Sequence, residues 1–373
     1  MVRFKNIRYT IGNFTLKDIT LGIKEGEYFV ILGPSGTGKT QLLRALAGLS
    51  RIDSGEIWIG GQRKDHLPPE QREIGFVFQD QVLFPHMTVF DNVAFSLKLK
   101  GVKRSVIRTR VREIAEVLGI SDLLNRVPTG LSGGEKQRVA LARAMVSNPK
   151  VLLMDEPYAS LDRNLAERLI LEGRRLHDRI KQTTIHVTHN QEEAIILADR
   201  LCLMEAGEIR MIGTPDEIFR KPNSCFVADF VGTANIYRDA ALEASGNGVV
   251  KLRYKGKEIC CRHTGRTPVG HGAVDSQGAG LGETNGKVTF CVRPENTNLH
   301  TTRPAELRTN VFEGRVAEVY DRGLMFQSIV SIADDFSVVN LTMRRDFLDM
   351  NIAGGSHVYL HIDEDSVHIM RNC

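Results

Sequence analysis

The sequence predicts an α/β fold with a parallel sheet over residues 1–235, followed by a small all-β domain at residues 236–373. Short apolar runs that end in polar residues recur in the first part, as expected of strands buried on both faces of a parallel sheet. They span residues 28–32, 74–78, 151–154 and 184–187. Stretches with helical apolar spacing separate these runs, and after Gly232 short strand-like segments alternate with turns instead.

Helical spacing is clearest at two places in the first domain. Apolar residues at 42, 43, 45 and 46 predict a helix after the first strand, ending at Gly48. Apolar spacing from 106 to 118 predicts another helix, which ends before Gly119. Because residues about 85–145 are mostly helical in pattern, we expect them to form a helical subdomain inserted between the parallel strands.

The second domain is predicted from strand-like segments alone, with no helical stretch of comparable length. These segments span residues 248–254, 287–292, 314–320 and 357–362. The glycine-rich residues 265–286 predict a mobile loop or hairpin connection. A break near residues 294–310 predicts two related lobes.

Composition limits the function classes. The net charge of the 373-residue chain is only +4 and its basic residues form no clustered stripe, which argues against a nucleic-acid partner. Six cysteines without a regular spacing predict reduced thiols in a cytosolic protein. The first residues do not resemble a signal peptide, and no apolar run approaches the roughly 18 residues of a membrane span. We therefore expect a chain that neither crosses a membrane nor leaves the cytoplasm by itself.

A phosphate-binding loop follows the first buried strand. The residues Gly33-Pro34-Ser35-Gly36-Thr37-Gly38-Lys39-Thr40 match the pattern G-x-x-x-x-G-K-[ST]. The glycines let consecutive N–H groups point inward around the β-phosphate of a nucleotide, and Lys39 can reach the β- and γ-phosphate oxygens. The Thr40 hydroxyl can bind Mg²⁺. The position between a strand and a helix favours a nucleotide site.

Polar side chains follow three other strands of the predicted sheet. Asp155 is placed to hold Mg²⁺, and Glu156 can orient or deprotonate an attacking water. Gln79 can reach the metal or that water, and His189 can contact the γ-phosphate. A lone glutamine or histidine is more often structural, but ligands of doubly wound folds bind at the carboxyl edge where all these residues are expected.

Residues 131–138 predict a helix start that binds an anion. Ser132 has the chemistry of an N-cap, and Glu135 three residues later completes a capping-box pattern. Gly133 and Gly134 leave the first backbone N–H groups uncovered, where the helix dipole adds positive potential. An ordinary capped helix is the alternative reading of this segment.

Taken together and in order, these segments resemble the nucleotide-binding subunit of ABC transporters over about residues 1–235. The resemblance implies a RecA-like core with a helical subdomain, ATP and Mg²⁺ as ligands, and a homodimer assembled head to tail. It implies that Ser132, Gly133, Gly134 and Glu135 touch ATP bound by the other chain, and that Ser160, Leu161 and Asp162 lie at the dimer contact. It further implies that Glu156 is the general base, that His189 senses the γ-phosphate, and that Thr40, Gln79 and Asp155 hold Mg²⁺.

The second domain resembles the OB/TOBE-like regulatory domain of importers through residues 230–235 and 292–296. Such subunits energise uptake of oxyanions, polyamines, sugars or iron. Residues 26–33 and 84–87 are most similar to molybdate/tungstate importers. The resemblance implies integral-membrane permease subunits as partners, an extracytoplasmic solute-binding protein as an indirect one, and a peripheral position at the cytoplasmic face of the membrane. Sulfate, polyamine, sugar and iron remain alternative cargoes.

Some residues depart from the family pattern. Ile11 stands where an aromatic residue usually stacks on adenine, so Tyr9 or Phe14 is expected to substitute. Gln41 replaces a common second hydroxyl near the α-phosphate, and residues 158–162 permute the usual sequence at the expected dimer contact.

Three further interpretations of the sequence are weighed against that of an importer subunit. Adjacent Cys260 and Cys261 point to opposite faces of a strand, which disfavours a metal site. A soluble ATPase of this family acting on DNA or ribosomes is disfavoured because the chain has one cassette and no sustained heptads. A further possibility is that residues 236–373 bind the transported anion and hold the ATPase domains apart.

Overall fold

The computed structural model describes residues 1–80, 82–232, 235–246, 248–262 and 287–370. The chain divides into two compact units, Met1–Asp216 and Glu217–Cys373. The domain boundary at residue 235 stays a prediction. The glycine-rich residues 265–286, predicted to be a mobile loop, lie outside the described residues.

The strands are numbered in chain order. They are β1 Val2–Ile11, β2 Phe14–Ile23, β3 Tyr28–Leu32, β4 Ser54–Ile59, β5 Gln62–Arg63, β6 Ile74–Val77, β7 Val151–Asp155, β8 Thr184–Thr188, β9 Arg200–Glu205, β10 Glu208–Gly213, β11 Asn235–Gly246, β12 Val249–Tyr254, β13 Lys257–Arg262, β14 Lys287–Val292, β15 Thr297–His300, β16 Val311–Asp321, β17 Met325–Ala333, β18 Phe336–Met343, β19 His357–Ile362 and β20 Val367–Met370. The α-helices are α1 Lys39–Ala47, α2 Val89–Leu99, α3 Arg104–Val117, α4 Gly133–Met145, α5 Arg163–Ile180, α6 Gln191–Leu197, α7 Pro215–Arg220, α8 Cys225–Phe230 and α9 Arg344–Asp349.

The central sheet of the first unit has six strands in the order β10-β9-β3-β8-β7-β6. Five of them are parallel, and β10 pairs antiparallel with β9. Every residue of β3, β7 and β8 is buried, which explains why these strands are continuous apolar runs in the sequence. The predicted parallel sheet is confirmed. The carboxyl ends of its strands align, since Leu32 pairs with Thr188 and Asp155 with Val187.

A second sheet of the first unit is antiparallel, in the order β2-β1-β4-β5. Its strands alternate between buried and exposed residues because only one face is covered. Phe4 and Leu16 from this sheet share one apolar core with Ile31 of the central sheet and Leu42 of α1. The sheet was not expected from the sequence, and it places Phe14 and Leu16 of β2 beside Gly38 of the phosphate-binding loop.

The helices α2, α3 and α4 form the expected helical subdomain with an apolar core of its own. Val93 of α2, Ile107 and Val111 of α3, and Val139 of α4 are all buried in that core. Gly119 follows α3 with φ +63°, a left-handed conformation that glycine adopts without strain.

The second unit contains two five-stranded antiparallel sheets around one core. Their strand orders are β13-β12-β11-β14-β20 and β15-β19-β16-β17-β18. The expected segments 287–292 and 357–362 are β14 and β19, so the all-β class is confirmed. The two expected lobes correspond to the two sheets only in part, because β20 returns to the sheet that contains β14.

Four of the described cysteines are buried free thiols. Cys202, Cys260, Cys261 and Cys291 are free, but Cys225 is disulfide-bonded, so the expectation of reduced thiols is wrong at that residue. None of the described helices is long and apolar enough to cross a membrane.

Candidate functional site

The phosphate-binding loop joins β3 to α1 and needs glycine at two positions. A Cβ at Gly33 would lie 2.4 Å from the carbonyl oxygen of Met204, which is backbone and cannot yield. Gly38 has φ +96°, and a Cβ there would lie 2.5 Å from Cζ of Phe14. The loop is therefore held closely between β9 and the start of β2, and its backbone can approach a ligand.

Lys39 lies inside the loop. Its Nζ donates hydrogen bonds to the carbonyl oxygens of Gly33 at 2.9 Å and Pro34 at 2.8 Å. Burial lowers the pKa of Lys39, and the nearby carboxylates of Glu156 and Asp155 oppose that shift. The ammonium group is thus held within the loop by the two carbonyls, whose place an anion can take.

Thr40 and Asp155 meet across the edge of the central sheet. The Thr40 hydroxyl donates a 2.9 Å hydrogen bond to Oδ1 of Asp155. Burial raises the pKa of Asp155, the hydrogen bond from Thr40 opposes this, and the neighbouring Glu156 charge raises it further. A hydroxyl and a carboxylate oxygen are ligands that Mg²⁺ accepts, and a cation would offset the two carboxylates. The residues present fit a magnesium site.

Glu156 and His189 form a second pair at the same edge. Nδ1 of His189 lies 3.1 Å from Oε2 of Glu156. Glu156 follows β7 in a left-handed conformation, φ +43°, and its N–H donates to the carbonyl of Val187 in β8 at 2.9 Å. Such a conformation in a non-glycine residue marks a position held by its surroundings. His189 is 53% exposed and Glu156 18%, so this pair faces solvent more than Asp155 does.

Gln79 follows β6 and is exposed. Among the described residues, no hydrogen bond joins Gln79 to Thr40 or Asp155. Its assignment as a metal ligand stays a prediction.

The start of α4 has the predicted capping box. The Ser132 hydroxyl accepts a hydrogen bond from the Glu135 N–H at 3.4 Å, and the Ser132 N–H donates to Oε2 of Glu135 at 2.7 Å. The hydrogen bonds that the Ser132 N–H and hydroxyl donate to the Glu135 carboxylate hold the pKa of Glu135 below its ordinary value. Ser132 is exposed at the helix start, so its end of α4 is accessible to an anion.

The segment Ser160, Leu161 and Asp162 lies against this helix start within the same chain. A Cβ at Gly133 would be 3.0 Å from Cδ2 of Leu161, and Asp162 caps α5 by accepting from the Leu165 N–H at 3.0 Å. Ser160 is exposed. These residues therefore have a structural role within one chain, in addition to the dimer contact that the sequence predicts. That dimer contact stays a prediction.

The residue that stacks on adenine is not decided by the fold. Tyr9 is only 8% exposed and packs in the apolar core, whereas Ile11 is 45% exposed. Phe14 is partly buried and lies against Gly38. Because so little of the Tyr9 ring is exposed, the structure does not favour Tyr9 over Phe14.

One positioning residue was not singled out from the sequence. The Asn190 side chain accepts hydrogen bonds from the N–H groups of Glu192 at 2.8 Å and Glu193 at 3.4 Å, capping α6 directly after His189. An asparagine followed by acidic residues is a recognisable N-terminal pattern, so the sequence carried this signal.

Comparison with known proteins finds family matches in both units. A match to the ABC transporter family covers residues 16–159, and a match to the TOBE domain covers residues 290–370. The chain is 37% identical over 369 residues to the molybdate/tungstate import ATP-binding protein WtpC of Pyrococcus horikoshii, covering 99% of both chains. It is 36% identical over 363 residues to the spermidine/putrescine import ATP-binding protein PotA of Roseobacter denitrificans, covering 97% of this chain and 95% of that protein.

A solved structure resembles the first unit. It is the dimeric post-hydrolysis state of the ATP-binding cassette MJ0796 bound to ADP and Pi. The TM-score is 0.51 at 32% sequence identity, and the alignment covers 58% of this chain and 99% of that chain.

Proposed function

This chain belongs to the ATP-binding proteins of ABC transporters and is an importer ATPase, and we propose that its homodimer drives uptake of molybdate or tungstate. The single observation that supports the oxyanion is the likeness to WtpC, which extends over 99% of both chains and so includes the second unit. PotA is nearly as similar over the same length, which keeps a polyamine as the alternative cargo.

We propose that ATP binds with its phosphates in the loop before α1. The Lys39 ammonium exchanges the carbonyl oxygens of Gly33 and Pro34 for β- and γ-phosphate oxygens, which carry more negative charge. The N-terminal N–H groups of α1 add positive potential. Mg²⁺, when held by Thr40 and Asp155, supplies charge neutralisation at these phosphates.

In the proposed hydrolysis, Glu156 accepts a proton from the attacking water while the bond to the leaving ADP oxygen breaks. His189 contacts the γ-phosphate and, at 3.1 Å from Glu156, orients that carboxylate. Glu156 has a left-handed backbone conformation, so the chain leaves the line of β7 at the residue that carries the base. Glu156 and His189 are both accessible to solvent, which leaves room for a further group opposite them.

We propose that a second copy of the chain supplies this further group. The start of α4, where Ser132 is exposed and Gly133 half-buried, has the positive potential of a helix N-terminus, which suits an anionic γ-phosphate. The dimeric structure of MJ0796, which is similar to the first unit, supports a homodimer. Binding of the two nucleotides between the copies would couple assembly to the presence of ATP.

The partners of the proposed dimer are integral-membrane permease subunits, at the cytoplasmic face of the membrane. A solute-binding protein outside the cytoplasm acts only through those subunits. Since import is the printed role of both relatives above, an ATPase acting on DNA or ribosomes has no support from them.

The cargo is tested by reconstituting the chain with its co-purified membrane subunits in vesicles that contain the solute-binding protein. We expect molybdate or tungstate to accelerate ATP hydrolysis, whereas sulfate, spermidine and maltose do not. Acceleration by spermidine alone would replace the oxyanion by a polyamine and leave the ATPase assignment intact.

The possibility that residues 236–373 bind the transported anion stays a prediction. Isothermal titration of the purified protein with molybdate, tungstate and sulfate tests it. The absence of heat for all three would reject an oxyanion sensor in this domain.

A further inference from the structure

A buried polar cluster of the first unit includes side chains on both sides of His189 in the chain. It contains His186 of β8, which is fully buried, and Glu193 of α6, which is 5% exposed. Nε2 of His186 lies 3.2 Å from Oε2 of Glu193. Neither atom has a hydrogen-bond partner among the described residues, so this contact is electrostatic. Burying a carboxylate is costly unless a partner offsets its charge, so the contact favours keeping the two side chains together.

A hydroxyl group sets the ring nitrogen that faces Glu193. The Tyr28 hydroxyl of β3 lies 3.0 Å from Nδ1 of His186. Burial raises the pKa of Tyr28, so the hydroxyl keeps its proton and can donate it to Nδ1. With Nδ1 as acceptor, the ring proton of a neutral His186 is on Nε2, the nitrogen beside Glu193. The three side chains therefore link β3, β8 and α6 inside the core.

The same cluster lies beside the segment that follows Glu156. Tyr158, two residues after Glu156, is 7% exposed, and its ring centroid is 5.8 Å from that of His186. Burial raises the pKa of Tyr158, and the charge of Glu193 raises it further. The Glu193 carboxylate is thus close to both segments that carry the proposed catalytic residues.

The position of His189 depends on how α6 is held. His189 lies in a link of two residues between the end of β8 and the start of α6. Within this link, the Thr188 hydroxyl accepts a hydrogen bond from the Asn190 N–H at 3.0 Å. Because α6 has only seven residues, its own hydrogen bonds do not make it stable and it needs tertiary contacts to stay in place. The contact between His186 and Glu193 ties the first turn of α6 to β8 across the link.

We propose that Glu193 is a positioning residue for ATP hydrolysis. Its carboxylate, through His186, fixes α6 on β8, and this keeps His189 beside Glu156. The inference rests on the roles of His189 and Glu156 under the proposed function and adds a residue that contacts neither ATP nor the attacking water. A displacement of about 1 Å can slow a reaction by up to about 100-fold, so loss of this contact affects turnover more than ATP affinity.

Glu193→Leu in the full-length chain tests the proposal, because leucine removes the carboxylate and fills its space. We expect kcat for MgATP to fall about tenfold, while the dissociation constant of adenylyl imidodiphosphate stays within about twofold. Glu192→Leu, the same substitution at the exposed preceding residue, is the matched control and should hydrolyse ATP normally. If Glu193→Leu does not fold, His186→Phe removes the same contact, keeps a ring at the buried position, and has the same expected result.

The His189→Ala background distinguishes positioning from a general loss of stability. Since Glu193 acts through His189, adding Glu193→Leu to His189→Ala should cause no further loss of rate. Equal fold losses on both backgrounds, loss of binding to the ATP analogue, or a wild-type rate in Glu193→Leu would overturn the proposal. A normal rate in His189→Ala alone would reject the proposed role of His189 and this inference with it. A slow His189→Ala beside a wild-type rate in Glu193→Leu would reject this inference alone.

Discussion

Nδ1 of His189 lies 3.1 Å from Oε2 of Glu156, although the two residues follow different strands of the central sheet. Parallel pairing of β7 with β8 sets this contact, and the hydrogen bond from the Glu156 N–H to the Val187 carbonyl extends the pairing one residue further. The proposed base and its orienting histidine are thus placed by backbone hydrogen bonds, not by loop geometry alone.

Glu156→Gln should abolish turnover while ATP still binds. The amide has nearly the shape of the carboxylate but cannot accept a proton from water, so we expect the hydrolysis rate to fall by at least about 100-fold. With ATP bound and uncleaved, the dimer should persist on gel filtration. Glu113→Gln, an exposed residue of α3, is the matched control and should hydrolyse ATP normally. Normal steady-state hydrolysis by Glu156→Gln would rule out its role as the base.

His189→Ala should slow hydrolysis about 10- to 100-fold with little change in ATP affinity. The loss follows because the substitution removes a contact to the γ-phosphate and the partner that orients Glu156. Single-turnover kinetics and nucleotide binding measured side by side would show this division. His66→Ala removes an exposed imidazole elsewhere in the same unit and should change neither quantity. Equal rates in the two variants would remove His189 from the mechanism.

Mixing Ser132→Arg chains with Lys39→Ala chains should restore hydrolysis that neither variant shows alone. If each site combines the loop of one chain with the α4 start of the other, a mixed dimer has one site with both lesions and one intact site. If sites formed within single chains, every site would carry one lesion. ATP hydrolysis by the mixture, compared with each variant alone, distinguishes these cases, and no gain on mixing would refute sites shared between chains.

Glu73→Gln should destabilise the first unit near neutral pH and much less in acid. Hydrogen bonds from buried Lys64, and from Lys150 at 2.9 Å, hold the pKa of Glu73 below its ordinary value of 4.5. Because the folded-state pKa is depressed, this stabilisation is complete above the ordinary pKa and is lost as pH falls through the folded-state value. Glu73 is half exposed, so we expect about 1 kcal/mol at most.

Urea unfolding of the wild type and Glu73→Gln at neutral and acid pH measures this difference. Glu70→Gln, at an exposed neighbouring residue, controls for the loss of a carboxylate. A stability difference that grows on acidification would have the wrong sign and would contradict the assignment.

Much of the candidate site was predictable because its signals are local. Ser132 and Glu135 are three residues apart, so a capping box can be read from the sequence and the structure confirms it. The expected segments 287–292 and 357–362 match β14 and β19 for a similar reason, since turn residues bound them. The antiparallel sheet containing β1 was not predicted, because pairing of β1 with β4 joins segments far apart in the chain.

By itself, the sequence determined the chemistry present: a phosphate loop with Lys39 and Thr40, acids after β7, and a capped helix start at Ser132. Short-range spacing carries that information. Only the tertiary structure decided which groups meet. The Thr40–Asp155 hydrogen bond, the His189–Glu156 contact and the burial of Tyr9 all depend on strand order and register, and long-range backbone pairing sets both of these.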